Sequence, residues 1–528
     1  MSDHLQATAG LTIGEALKQA AGRAGDEEAV VDEGRRLTYR ELDARVNRLA
    51  NAFLERGIGH GDRVMCCVRN RAELVELYFA LHKIGAVYAP VNVRLAAAEL
   101  VHCARLVEPK AMVFEQTSLP LAESLRDEIP AQVFSVDADA PAPSWATPLD
   151  RLASDAPSEE PDAAVTDGDL SLILLTSGTT GLPKGVPRTH AAEIAATVFN
   201  IGAFPWRTGE RILLVMPLYH TMGVRLLLSG VLLAGTSVLQ RRWDPEDALG
   251  LVERDRISTM FLVPTMYHDL LRAEGLDARR LTSLRSLGTA GMVIREDLVA
   301  EIRAAFGPLP LVNVYGCSEV YCLSFADYLD RKPGTVGRGA PHQELRLVAP
   351  GADPGPMDTE EVQPGRLGEI VARATVADAF AGYLGSDEAT AQVLRDGWYF
   401  TRDLGYRDED GDLYVVGRTD DMIISGGENV HPLEVESALA LCPGIADVVV
   451  AGLPDEHWGQ VVTAFIVRRD PALTEEQVTD FCLSTTTLAA FKRPRRIHFV
   501  DEIPKSPVGK VQRRVLQERF APGGAPQR

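Results

Sequence analysis

Thr176-Ser177-Gly178-Thr179-Thr180-Gly181-Leu182-Pro183-Lys184-Gly185 follows the apolar run Leu172-Ile173-Leu174-Leu175, which has the length and composition of a buried strand. Three glycines, Gly178, Gly181 and Gly185, let the backbone turn sharply and approach a ligand with no Cβ in the way. Thr176, Ser177, Thr179 and Thr180 add hydroxyls, and Lys184 adds a fixed positive charge. Amides, hydroxyls and one ammonium in such a loop can surround phosphate oxygens. The Walker spacing G-x-x-x-x-G-K-[ST] is absent. Taken alone, the ten residues leave a surface turn and a phosphate loop both open.

Working outward, helical and strand patterns alternate on both sides. Thr38 with Glu41 three residues on predicts a capped helix start, Arg63 to Val68 a strand, and Ala72 to Ile84 a helix. Downstream, Ile212 to Met216 reads as a strand ending in Pro217-Leu218-Tyr219-His220, and Asp244-Pro245 opens a helix. Met260 to Val263, Leu284 to Leu287 and Leu311 to Val314 are further short strands, the last delivering Tyr315-Gly316-Cys317-Ser318-Glu319. Strands separated by helices predict an α/β fold with parallel sheet covered on both faces. Ligands bind outside the carboxyl ends of such strands, and three ends (Leu175, Met216, Val314) run into polar residues. Asp137 to Asp169, rich in Ala, Pro, Asp and Glu, reads as a solvated connection. Gly334 to Val416 has the short strands and Gly-rich turns of a β-rich subdomain. Beyond Arg418 comes an α+β segment with strands at Val448 to Ala451 and Val461 to Val467 and helices near Pro432 to Leu441 and Thr474 to Leu483.

The 528 residues carry 54 Lys plus Arg against 74 Asp plus Glu, a net charge of −20. That excludes a broad nucleic-acid surface, which needs a basic footprint. Seven scattered cysteines show no metal-ligand spacing and fit a reduced, cytoplasmic setting. The N-terminus has no signal-peptide pattern, and the longest apolar tract, Leu226 to Leu239, is too short and too interrupted for a membrane span.

Six stretches occur in one order: TSGTTGLPKG, MPLYHTMG, YGCSE, TRDLG, GRTDDMIISGGENVHPLEVE and PKSPVGKVQRR. In this the chain resembles the adenylate-forming superfamily of acyl- and aryl-CoA synthetases, firefly luciferases and stand-alone adenylation domains. DDMIISGGENVHP and FKRPRR bring it nearest to bacterial benzoate-type and chlorobenzoate CoA ligases. The resemblance implies a large N-terminal domain, residues 1–419, of two α/β sheet subdomains plus a β-rich subdomain. A small mobile α+β C-terminal domain, residues 420–528, follows. It implies an ATP-dependent carboxylic acid–CoA ligase that forms acyl-AMP, releases pyrophosphate and transfers the acyl group to CoA. A ligase loading a carrier-protein phosphopantetheine is the alternative. ATP, Mg2+ and coenzyme A are the implied cosubstrates and cofactor, and a homodimer is left open.

Two anions must approach each other in adenylation, so cations and donors have to neutralise them. The resemblance gives that task to the loop Thr176, Ser177, Gly178, Thr179, Thr180, Gly181 and Lys184. Glu319 takes the magnesium-associated position, a hard carboxylate for a hard cation. Ser318 stands where threonine is commoner and keeps the hydroxyl. Tyr315 and Gly316 border the adenine; Asp403 and Arg418 match the ribose-binding pair. Lys510 matches the lysine that bridges the carboxylate and the α-phosphate. His220 marks the mouth of the acyl pocket, with Thr289, Ala290, Gly291 and Met292 along another wall. Ala290 to Val293 depart from the usual Gly-Ala-Pro-Leu, and the PLYH strand end lacks the asparagine of dihydroxybenzoate ligases. Arg94, Arg493 and Arg495 match residues near the CoA nucleotide, Gly426 and Gly427 the pantetheine passage, and Asp420 the interdomain hinge.

Overall fold

In a computed structural model the described residues are 10–126, 132–137, 142–177, 183–276, 281–350, 360–425, 428–455, 457–484, 492–505 and 511–520. The chain forms two compact units. One holds residues up to Ala290, Ile294–Glu344 and Arg373–Tyr399; the other holds Gly291–Val293, Leu345–Ala372 and residues from Phe400 on.

The first unit is built on two sheets. Seven strands lie in the order Thr147–Pro148, Gln132–Ser135, Ala111–Phe114, Arg63–Cys67, Val87–Pro90, Leu170–Ser177, Pro183–Thr189. All neighbours are parallel except the last pair. Nine strands form the other sheet, in the order Arg338–Gly339, Ser324–Ala326, Leu311–Tyr315, Ser286–Ala290, Thr259–Phe261, Arg211–Leu214, Thr236–Leu239, Glu28–Asp32, Arg35–Thr38. Its interior pairs are parallel and its two margins antiparallel. The α/β layering therefore follows the expected alternation of periods.

Local chemistry sets the helix starts. Thr38 Oγ1 accepts from the Glu41 amide at 3.2 Å and Glu41 Oε2 accepts from the Thr38 amide at 2.9 Å, so helix Tyr39–Glu55 opens on a capping box. Helix Ala72–Lys83 is buried on every side but Glu73, and its buried charges are paired: Glu76 with Arg35 and Arg45, Lys83 with Asp43 and Glu160. Asp244 caps helix Pro245–Arg254, with Pro245 in its first turn as predicted.

One strand carries no sequence signal, and one expectation needs revision. Pro183–Thr189 returns antiparallel to Leu170–Ser177, in a register that sets Thr176 opposite Lys184. Pro183 and Pro187 masked this strand, yet an edge strand tolerates prolines because one side of its ladder needs no N–H. The Asp137 to Asp169 connection also carries the strand Thr147–Pro148 and the helix Leu149–Ser154.

In the second unit, Leu345–Val348 pairs antiparallel with residues 369–372, and residues 403–407 with Leu413–Arg418. Further on, Ile445–Asp455 and Gly459–Arg468 form a long antiparallel hairpin flanked by Ile423–Ser425 and Arg496–Phe499. Val448, Val450, Val462, Ala464 and Ile466 enter one core; Val449, Ala451, Leu453, Val461 and Phe465 enter another with Leu516 of helix Arg513–Phe520. That is the period-two alternation of a sheet covered on both faces. Among the described residues no helix is long and apolar enough to cross a membrane.

Candidate active site

Strand Pro183–Thr189 presents Lys184, and the end of strand Leu311–Tyr315 runs into Glu319. The segment Phe380–Leu384 joins them. The Leu384 amide donates to the Gly185 carbonyl at 2.9 Å, and the Phe380 amide donates to the Glu319 carbonyl at 2.8 Å. Between these anchors, the Tyr383 hydroxyl donates to Glu319 Oε1 at 2.7 Å, while Lys184 Nζ lies 4.8 Å from the Tyr383 ring centroid. Burial first, then the Glu319 carboxylate, push the Tyr383 phenol up from its ordinary range, so it stays a donor. Glu319 is 8% exposed, and its oxygens suit a hard divalent cation, as the Lys184 ammonium suits phosphate.

Behind Glu319 sits a buried ion cluster. Arg188 Nε donates to Glu193 Oε1 at 2.8 Å, and its Nη1 donates to the carbonyls of Asp378 at 2.5 Å, Glu319 at 3.3 Å and Ser318 at 3.4 Å. Arg225, on helix Thr221–Leu232, pairs with the same Glu193 and donates to Thr197 Oγ1 at 2.8 Å. Burial lowers both guanidiniums from their usual range, Arg225 to about 10. Neither Arg188 nor Tyr383 was singled out in the sequence. Nothing in the local sequence marks Arg188 as interior, and the one trace of Tyr383 is an aromatic pair, Phe380 and Tyr383, around Gly382.

His220 is the N-cap of helix Thr221–Leu232, and its amide donates to the Pro217 carbonyl at 2.9 Å. The residue is half-buried, its Nε2 is enclosed without a partner, and burial lowers the imidazole to about 4. Asn70 pins this strand end to the other sheet: its Nδ2 donates to the Leu214 and Met216 carbonyls at 3.1 and 2.9 Å, and its Oδ1 accepts from the Leu218 amide at 3.0 Å. Thr289 is buried with its hydroxyl unpartnered, and Ala290 ends the same strand. Tyr315 closes strand Leu311–Tyr315 and Gly316 follows it; there an added Cβ would meet the Tyr321 carbonyl oxygen at 2.7 Å. Arg94 is exposed, with its amide donating to Asn92 Oδ1 at 3.0 Å.

Within the second unit Asp403 and Arg418 face each other across the hairpin, with Arg418 Nε 3.4 Å from Asp403 Oδ1. Arg418 also donates to the Thr401 carbonyl at 3.3 Å. Arg495 is exposed and stacks on Trp458, its guanidinium carbon 3.9 Å from the ring centroid. Arg493 lies beside Cys482. Gly291 and Met292 belong to this unit, with Gly291 at φ 84°. Asp420 falls in the 3-10 turn Thr419–Asp421, where Arg513 reaches the neighbouring Asp421 at 3.4 Å. Gly178, Thr179, Thr180, Gly181, Gly426, Gly427 and Lys510 lie outside the described residues, as do the side chains of Ser177 and Asp420.

Three buried histidines make a pH prediction. Burial lowers His82 well below its ordinary value, and His190 and His220 to about 4. The unfolded chain binds these protons near 6.5, before the folded one does. Stability is therefore expected to fall as pH drops from 6.5 toward 4, followed by the melting temperature over that window. His190→Gln should make the fall shallower, and an unchanged slope would contradict this assignment.

Residues 17–384 match the AMP-binding enzyme family, and residues 434–510 match the AMP-binding enzyme C-terminal domain. The chain is 33% identical to the indoleacetate–CoA ligase of Aromatoleum aromaticum over 97% of its own length and 98% of the relative's. It is 31% identical to the 3-hydroxybenzoate–CoA/4-hydroxybenzoate–CoA ligase of Thauera aromatica, covering 98% and 99%. Among solved structures it resembles the anthranilate CoA ligase AuaEII in complex with anthranoyl-AMP, at 25% identity and a TM-score of 0.87, over 97% and 98% of the two chains. A family model over residues 17–384 and relatives matched nearly end to end lead to one assignment: this protein belongs to the AMP-binding, adenylate-forming enzymes.

Proposed function

We propose that this ligase activates an aromatic carboxylic acid and delivers it to free coenzyme A. The chain is an AMP-forming acid–thiol ligase: it uses ATP and Mg2+ to make an acyl-adenylate, then forms a CoA thioester. The observation that carries the site reading is the convergence of Lys184 and Glu319 on Tyr383. In this reading Lys184 and the loop from Thr176 to Gly181 hold the β- and γ-phosphates. Glu319 holds the Mg2+, which when bound neutralises charge on the phosphates. Asp403 and Arg418 take the ribose, and Tyr315 and Gly316 border the adenine. Lys510 bridges the acid and the α-phosphate. His220, neutral at physiological pH, lines the acyl pocket with Thr289, Ala290, Gly291 and Met292 and adds no charge that would trap the carboxylate elsewhere. The mobile part is taken as residues 420–528, turning at Asp420.

Aromatic acids are favoured by the two relatives and the solved complex, whose names carry indoleacetate, hydroxybenzoates and anthranilate. Pyrophosphate release across a panel of aryl, alicyclic and medium-chain acids tests this: preference for a non-aromatic acid removes it. Thioester formation with CoA alone excludes an obligate carrier protein.

Arg493 and Arg495 are assigned to the CoA phosphates; Arg495 is exposed, with its guanidinium held over the Trp458 ring, and offers a polyanion a solvent-facing cation. Changing both to alanine is expected to raise the KM for CoA about tenfold or more and leave that for ATP unchanged, with the effect shrinking as salt rises. A CoA dependence unaltered at low salt would remove the assignment.

A further inference from the structure

We propose that Tyr383 is a spacer that keeps Lys184 and Glu319 from neutralising each other before nucleotide arrives. The inference rests on the reading of both residues as phosphate-side groups. An ammonium and a carboxylate serving one polyphosphate have opposite charge and must lie close together. Left alone in a partly buried site, they would pair, and the pair would have to break each time ATP bound. Among the described residues Lys184 makes no ion pair. It lies instead over the Tyr383 ring, 4.8 Å from the centroid, and the hydroxyl of that same ring occupies Glu319 Oε1 at 2.7 Å.

One side chain thus holds the two charges apart, with a cation–π contact on its face and a charge-assisted hydrogen bond from its neutral hydroxyl at its tip. Neither contact neutralises the charge it holds, so both charges stay available to phosphate and cation. The ring is itself fixed. Leu384 donates to Gly185, beside Lys184, and Phe380 donates to the Glu319 carbonyl, so the segment bearing Tyr383 is tied both to the strand that carries Lys184 and to the turn that carries Glu319. The Tyr383 amide donates to Thr390 Oγ1 at 2.9 Å, and Phe380 packs edge-on against the ring at 5.1 Å. The carbonyl of Glu319 is also held by Arg188, so its backbone cannot retreat from the pairing. Separation must come from the tyrosine.

The test measures ATP binding in EDTA by calorimetry, with no acid present, so neither turnover nor metal enters the readout. Tyr383→Leu removes ring and hydroxyl together and is expected to weaken ATP about tenfold or more. Tyr383→Phe keeps the ring between the charges and should cost about threefold or less. AMP, which lacks the β- and γ-phosphates, should bind all forms alike. The deciding measurement is the double variant. With Glu319→Gln added to Tyr383→Leu, Lys184 has no carboxylate to pair with, so most of the lost affinity should return. The same change in the wild-type background should give a smaller gain. If Tyr383→Leu and Tyr383→Phe bind ATP as wild type does, or Glu319→Gln restores nothing, the spacer role is overturned. Equal loss of AMP and ATP would likewise overturn it, because a general packing defect does that. Failure of the wild-type protein to bind ATP would instead refute the proposed phosphate site.

Discussion

Replacing Lys510 by alanine is expected to slow acyl-adenylate formation by about 100-fold or more, the scale of losing one preorganised donor at developing charge. The carboxylate of the acid and the α-phosphate of ATP repel each other as they close, and a bridging ammonium is strongest in the transition state, where both charges meet it. Thiol attack on the finished adenylate has no second anion approaching the phosphate, so the lysine has little left to do. Supplied acyl-AMP and CoA should therefore yield thioester at nearly the wild-type rate. The measurement is pyrophosphate release against thioester formation from synthetic acyl-AMP. Equal losses in the two half-reactions would refute the division of labour.

Glu193→Ala should produce the largest loss of stability. The side chains of Arg188, Glu193 and Arg225 are 1%, 0% and 0% exposed, and Glu193 is the carboxylate both guanidiniums touch. Removing one partner of a buried pair strands an uncompensated charge and costs about 3–5 kcal/mol. Asp378, wholly buried, acts on both arginines and offsets part of that, which places the loss toward the lower end. Glu193→Gln, which keeps an acceptor of the same shape, should lose less. The midpoint of the first unfolding transition in urea reads the difference. A loss below about 1 kcal/mol would mean that water replaces the carboxylate.

How much of this was legible beforehand depends on the range of the signal. The helix start at Thr38 was readable because a capping box is closed within four residues, and the strands at Arg63, Leu311 and Val461 because side-chain alternation is local. The hairpin strand Pro183–Thr189 was hidden by its prolines and glycine, whose acceptability depends on lying at a sheet edge, and that is a property of the whole sheet. Arg188, Glu193 and Arg225 carry the residue types of a solvated face, and no pattern along the chain marks them as interior.

By itself, then, the sequence determined the alternation of helix and strand and the ordered motifs that place the chain among the adenylate-forming enzymes. The alternation follows from residue types at short, fixed spacings, whereas the roles proposed for Lys184, Glu319 and Lys510 rest on the resemblance those motifs carry. The tertiary structure alone decided that Tyr383 stands between Lys184 and Glu319 and that Arg188 holds the carbonyl behind Glu319. These neighbours come from strands and a loop far apart in the chain. What brings them together is the register of one hairpin and two backbone hydrogen bonds from Phe380 and Leu384, and such long-range pairings leave no periodic trace in the sequence.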